Sequence, residues 1–143
     1  MAENRKQIKI SMANVKSGFY QTEIALPVFL SSAGNIILSH MGLKSFVLNV
    51  IKSQIATGGP PIVYSYKCID SSMDHPVVDC TFAMGTYIVT ESGELNCYTA
   101  YTDVAKKYPY LEAQKRAFDR AAISFFQLQV DGKQIIADSE FAQ

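Results

Sequence analysis

Nowhere in the 143 residues does an apolar run approach the ~18 positions that a membrane-spanning helix needs. Charge is also scarce, at 18% against a usual ~25%, yet 48% hydrophobic content with eight Phe and eight Tyr excludes a disordered chain. Behind the basic stretch MAENRKQIKISMANVK no apolar segment of ~7–15 residues follows, so it does not read as a secretory signal. Cysteine is sparse and odd in number: Cys68, Cys80 and Cys97 form no C-x-x-C pair. This argues against a disulfide framework, points to a cytoplasmic setting, and suggests three half-buried strand thiols. With His40 and His75 as the only histidines, no metal-ligand spacing emerges. Also missing are the phosphate-cradling G-x-x-x-x-G-K-[ST], the dinucleotide fingerprint G-x-G-x-x-G and the nucleophile elbow G-x-S-x-G. TGGPP, the only double glycine, reads as a linker. An enzyme is therefore not expected, and neither a cofactor nor a metal is implied.

Thirteen basic and thirteen acidic residues cancel, but they are not mixed. Residues 1–67 hold seven bases against Glu3 and Glu23, a balance of +5, of which the segment 1–16 carries Arg5, Lys6, Lys9 and Lys16. Residues 68–104 have no Lys or Arg and six acids, −6. Residues 105–120 return to +3 through Lys106, Lys107, Lys115, Arg116 and Arg120 against Glu112 and Asp119, and 121–143 are −2. Such ordering suits solvated faces, a basic groove, or a head-to-tail contact between a positive part and a negative one.

One domain is expected, since domains cluster at roughly 100–150 residues. KQIKISM (6–12) alternates as a strand, and QTEIALPVFL with NIILSH reads as a hairpin around SSAG. Leu43, Phe46, Val47, Val50, Ile51 and Ile55 share one face of a helix over 43–56. Strands follow at 62–69, 77–90 (with Gly85 as a bulge or bend) and 95–102, the last two joined by a turn around Gly93. A second helix covers 110–128, apolar along Leu111, Phe118, Ala121, Ala122, Phe125 and Leu128, with a small-residue surface fit to lie close on a sheet. A C-terminal extension, 129–143, ends in a loose tail. The order β-hairpin–α–βββ–α gives an α+β fold: a mainly antiparallel sheet with two amphipathic helices packed on one face.

Cations beside aromatics are what this sequence has in place of catalytic groups. YPYLEAQKRAFDRAAISFF sets Lys115, Arg116 and Arg120 among aromatic rings; the bland reading is an amphipathic helix with its rings in the core and its charges in water. Phosphates attract Lys and Arg, and unstacked bases seek aromatic faces, so the sharper reading is a single-strand interface.

EAQKRAFDRAAI, with its Lys115-Arg116-Ala117, resembles the helical segment of phage single-strand DNA annealing proteins of the Sak/ERF/Red-beta-like superfamily. The order of elements over 43–128 is similar to that superfamily's three-stranded sheet followed by a small-residue helix. The resemblance implies a cytoplasmic protein that assembles as a homo-oligomeric ring or filament and holds single-stranded DNA in a basic groove, leaving the bases free to pair. It implies Lys115, Arg116 and Arg120 as phosphate contacts, Lys106 and Lys107 as groove-edge cations, and Tyr98 and Tyr101 as stacking positions. The competing expectation is a small phage-encoded interaction or inhibitor protein that binds a host factor or a signalling nucleotide.

Overall fold

The computed structural model describes residues 9–17, 22–30, 36–96, 106–130 and 133–141. In chain order these form β1 (Lys9–Ser17), β2 (Thr22–Leu30), β3 (Ile36–Leu38), α1 (His40–Thr57), β4 (Val63–Asp70), β5 (Val77–Met84), β6 (Tyr87–Glu94), α2 (Pro109–Phe126), β7 (Leu128–Val130), β8 (Lys133–Gln134), β9 (Ile136–Ala137) and a 3₁₀ turn (Asp138–Phe141). The fold is α+β, and its strands divide into two sheets: one ordered β8-β7-β1-β2-β3-β9, the other β4-β5-β6. Every pairing is antiparallel except β3–β9, which sets Ile37 opposite Ile136.

Helix α2 lies on the inner face of β4-β5-β6, and α1 packs on α2 and β2, so the helices join the two sheets. One core results, from Leu26, Val28 and Leu38 of the larger sheet through Leu43 and Val47 of α1 to Val78 and Phe82 of β5. Its centre is aromatic. The Phe82 ring stands 5.5 Å from those of Phe118 and Phe125, and Tyr87 stacks on Phe125 at 4.6 Å while its hydroxyl donates to the Phe125 carbonyl at 2.6 Å. Offset and edge-on rings at such distances add about 0.5–1.5 kcal/mol per pair beyond burial.

The expected small-residue surface is present and its partner is specific. Gly93 is buried against α2, where a Cβ would collide with the Ala113 carbonyl and the Ala117 backbone. Gly93 is thus a strand residue under a helix, not the turn expected there. The turn falls eight residues earlier: Met84 pairs with Tyr87, leaving Gly85-Thr86 as a two-residue connection with Gly85 at φ +62°. The expected single strand 77–90 is therefore the hairpin β5–β6, because only glycine takes that first turn position without strain. The expected strand at 95–102 is reduced to Leu95 and Asn96, which are not in a strand; its remainder lies outside the described residues.

On the expected face of α1, Leu43, Phe46 and Val47 are buried and Val50 and Ile51 are half-buried against the core, whereas Ile55 is exposed in the last turn. Leu111 is likewise exposed at the start of α2. The expected loose tail is instead the 3₁₀ turn, bonded to both helices. No helix among the described residues is long and apolar enough to cross a membrane.

Candidate nucleic-acid interface

Helix α2 sends its cations to two different places. Arg120 points at the end of β6 and the 3₁₀ turn, and all five of its N–H groups find acceptors. Nε and Nη2 meet the two Glu140 oxygens at 2.7 Å each, Nη1 and Nη2 meet Glu94 at 2.9 and 3.1 Å, and Nη1 also donates to the Ser92 carbonyl at 2.8 Å. The paired carboxylate of Glu140 holds the guanidinium even further above neutrality than usual. Arg116 donates from Nε to the Ser139 carbonyl at 2.8 Å and from Nη1 to the Glu94 carbonyl at 2.9 Å. Lys115 is half-exposed and pairs with the buried Glu112 at 3.3 Å.

A second set of bonds fastens the same turn to α1. Asp119, fully buried in mid-α2, accepts from the Ser139 hydroxyl at 2.5 Å and meets His40 Nδ1 at 2.6 Å. Asp138 accepts the backbone N–H of His40 at 3.0 Å, capping α1 together with Ser39, whose hydroxyl accepts from Gly42. Burial pushes the Asp138 carboxyl above its ordinary range, against the opposing pull of the His40 N–H. Three consecutive residues thus hold both helices: Asp138 grips the start of α1, while Ser139 and Glu140 grip α2, the latter through the guanidinium that also reaches β6.

Lys106 and Lys107 are placed otherwise. Both are exposed, just before α2, and Lys107 Nζ sits 5.7 Å from the Tyr108 ring centroid. Pro109 is buried at the first helical position, where its missing N–H costs nothing, and it anchors a segment whose neighbours Tyr108, Tyr110 and Leu111 are exposed. The Tyr110 hydroxyl lies beside Cys68 of β4, and Tyr66, with its ring exposed, stands two residues along the same strand face. Burial of the Tyr66 hydroxyl and the nearby Cys80 thiol keep that phenol protonated well above neutral pH. The rim therefore offers two lysines and three tyrosine rings with no carboxylate bonded to either lysine among the described residues.

The chain matches no family model, no curated protein and no solved structure. The geometry of the chain itself must carry any functional reading.

Of the residues named from the sequence, Lys106 and Lys107 come together at the rim, Lys115, Arg116 and Arg120 lie along α2 facing the turn, and Tyr98 and Tyr101 lie outside the described residues. Tyr66, Tyr108 and Tyr110 were not anticipated. The signal was there in KKYPY: lysines and tyrosines flanking a proline that starts a helix leave the rings before the first buried turn. Among the cysteines, Cys80 is buried, and burial with the Asp119 charge pushes its thiol up to about 12, so it is inert. Cys68, expected half-buried, is exposed because β4 is an edge strand. Among the described residues no three His, Cys, Asp or Glu side chains converge as metal ligands.

Proposed function

We propose that this protein binds single-stranded DNA at the rim formed by Lys106, Lys107, Tyr108, Tyr110 and Tyr66, and that it acts as a phage-type annealing protein. The observation that carries the reading is the presence, around the start of α2 and the adjoining face of β4, of two exposed lysines with no carboxylate partner among the described residues and of three exposed tyrosine rings. Lysines neutralise phosphates and release counterions, while tyrosine faces take unstacked bases of any sequence. The positive end of α2 adds to the attraction for a phosphate. The resemblance of EAQKRAFDRAAI to the annealing proteins supports the same reading from a different stretch of chain. Annealing needs neither metal nor nucleotide on this reading; it needs a backbone held while bases stay available to a second strand.

The roles within the motif are redistributed. Arg116 and Arg120 organise the turn that fastens the helices, Lys115 lies at the edge, and the rim makes the contact. The test is a fluorescent-oligonucleotide titration at low and high salt, with a complementary strand added to read annealing. Wild-type protein binds at low salt and weakens as salt rises. Lys106→Glu with Lys107→Glu loses binding at least tenfold, and Tyr108→Ala with Tyr110→Ala loses it by a similar factor, since stacking contributes about 1–3 kcal/mol per base. Absence of low-salt binding overturns the reading.

A second reading has its own observation. Among the described residues β4 is an edge strand with seven of its eight residues exposed, and such an edge can add a strand from a protein partner. This favours the interaction-protein alternative if oligonucleotide binding fails.

A further inference from the structure

The chain has two histidines, and the fold treats them differently. His75 is exposed in the loop between β4 and β5. His40 opens α1 with its side chain only 13% exposed, and it is held at backbone and ring. Its N–H donates to Asp138, and its ring Nδ1 meets the fully buried Asp119 at 2.6 Å. Asp119 takes the Ser139 hydroxyl on its other oxygen, and Arg116 fixes the Ser139 carbonyl in turn. The Phe118 ring stands edge-on to the imidazole at 6.0 Å.

A carboxylate only accepts hydrogen bonds, so Nδ1 carries the ring proton and the lone pair of the neutral imidazole is on Nε2. Among the described residues Nε2 has no hydrogen-bond partner, and no unpartnered nitrogen or oxygen of a part-buried side chain is sealed from water. Nε2 therefore faces solvent. Capping α1 does not require this order, since Asp138 and Ser39 already cap it through its backbone. It is the arrangement of an activated nucleophile: attacking atom outward, opposite nitrogen on a buried carboxylate, and that carboxylate oriented by a third group. The neighbouring charges select the electrophile. Lys44 follows His40 by one turn of α1, and Lys115 precedes Asp119 by one turn of α2, so each member of the pair has a cation beside it on its own helix. Lys115 pairs with Glu112, whereas Lys44 bonds no carboxylate among the described residues.

We infer that His40 is a phosphoryl-acceptor site, loaded by small donors with a good leaving group such as acyl phosphates and phosphoramidate. The Nε2 lone pair attacks phosphorus and an N–P bond forms. The bond from phosphorus to the leaving group breaks, and acetate or ammonia departs with its electron pair. The ring keeps its Nδ1 proton and becomes cationic, and the Asp119 carboxylate offsets that charge. Asp119 is thus a positioning residue, and the lysines draw in the anionic donor. The inference rests on this pair and its neighbours, not on the nucleic-acid reading, which uses neither histidine.

Incubating the native full chain with phosphoramidate, and separately with acetyl phosphate, tests it. Peptide mapping at alkaline pH locates the phosphoryl group, and phosphorus NMR identifies the nitrogen. His40 is labelled on Nε2 roughly tenfold or more faster than His75, although His75 is the more exposed. Both histidines are read in one wild-type sample, so this comparison needs no variant. Asp119→Asn keeps an acceptor for Nδ1 but removes the charge, and slows the label about tenfold with circular dichroism unchanged. Lys44→Gln slows phosphorylation of His40 but not its reaction with diethyl pyrocarbonate, a neutral electrophile; a merely structural role would not produce that split. Labelling of His75 as fast as His40, or no label on His40, overturns the inference. So does a label on Nδ1 of His40, or a rate that a folded Asp119→Asn leaves unchanged.

Discussion

Replacing Arg120 with alanine separates a fastening role from a phosphate-binding one. The substitution removes five hydrogen bonds, but they are unequal. Glu140 is 19% exposed and accepts two short bonds in parallel, so this arm contributes about 2 kcal/mol. Glu94 is 53% exposed and its arm is screened by water, so it adds a few tenths of a kcal/mol. The bond to the Ser92 carbonyl adds about 1 kcal/mol. The expected loss is about 3 kcal/mol, a fall in melting temperature of roughly 10 °C for a chain of this size. Urea unfolding of Arg120→Ala, Glu140→Ala and the double variant isolates the shared part, expected at about 1.5–2 kcal/mol and only weakly dependent on salt. Oligonucleotide affinity, measured where all variants remain folded, should keep its salt slope, whereas loss of a phosphate contact would lower that slope by ~1. A coupling energy near zero between Arg120 and Glu140 refutes the fastening role, and a lowered salt slope refutes the assignment of Arg120 away from DNA.

Three further outcomes are expected. Asp138 has a folded pKa raised by burial, so the folded state binds the proton more tightly than the unfolded one; its contribution to stability is fully present below the unfolded carboxyl range and is lost as pH rises through the folded value. Asp138→Asn keeps an oxygen acceptor for the His40 N–H and should match wild type at acid pH while exceeding it at neutral pH, as read by denaturant titration across that window. Gly93→Ala drives a methyl into the α2 backbone and should destabilise by about 3 kcal/mol or abolish folding, measured by thermal melting. In a Cys97→Ser background, a thiol reagent should modify Cys68 in the native protein and Cys80 only on unfolding; equal native rates would contradict their placement.

The helices were legible because their signal is local. Ala113, Ala117, Ala121 and Phe118, Phe125 recur at helical spacing, and α2 follows them. The hairpin was misplaced because two glycines, Gly85 and Gly93, offer the same turn chemistry, and only the helix above Gly93 decides which one bends. The fate of the cations was hidden for a different reason. Arg120 finds Glu94 and Glu140 at separations of 26 and 20 residues, from opposite sides along the chain, and no spacing rule connects them. The tail looked loose because its polar residues, Asp138, Ser139 and Glu140, read as solvated when their partners are out of view. At the rim, KKYPY held the necessary residues, but exposure is set by where the helix starts, and Pro109 sets it.

The 3₁₀ turn after β9 also governs the order in which the molecule can be completed. Its bond to His40 spans 98 residues, and β9 pairs in parallel with β3 across a similar separation. Contacts of such span come late, since the entropy of closing a long loop must be met before they reward it. Until Asp138 arrives, the first turn of α1 lacks one cap, Asp119 is a buried carboxylate without its hydroxyl donor, and Arg120 has lost its tightest partner. The chain is therefore built so that both helices remain incompletely satisfied through most of folding, and a short segment near the far end of the sequence closes all of these positions at once.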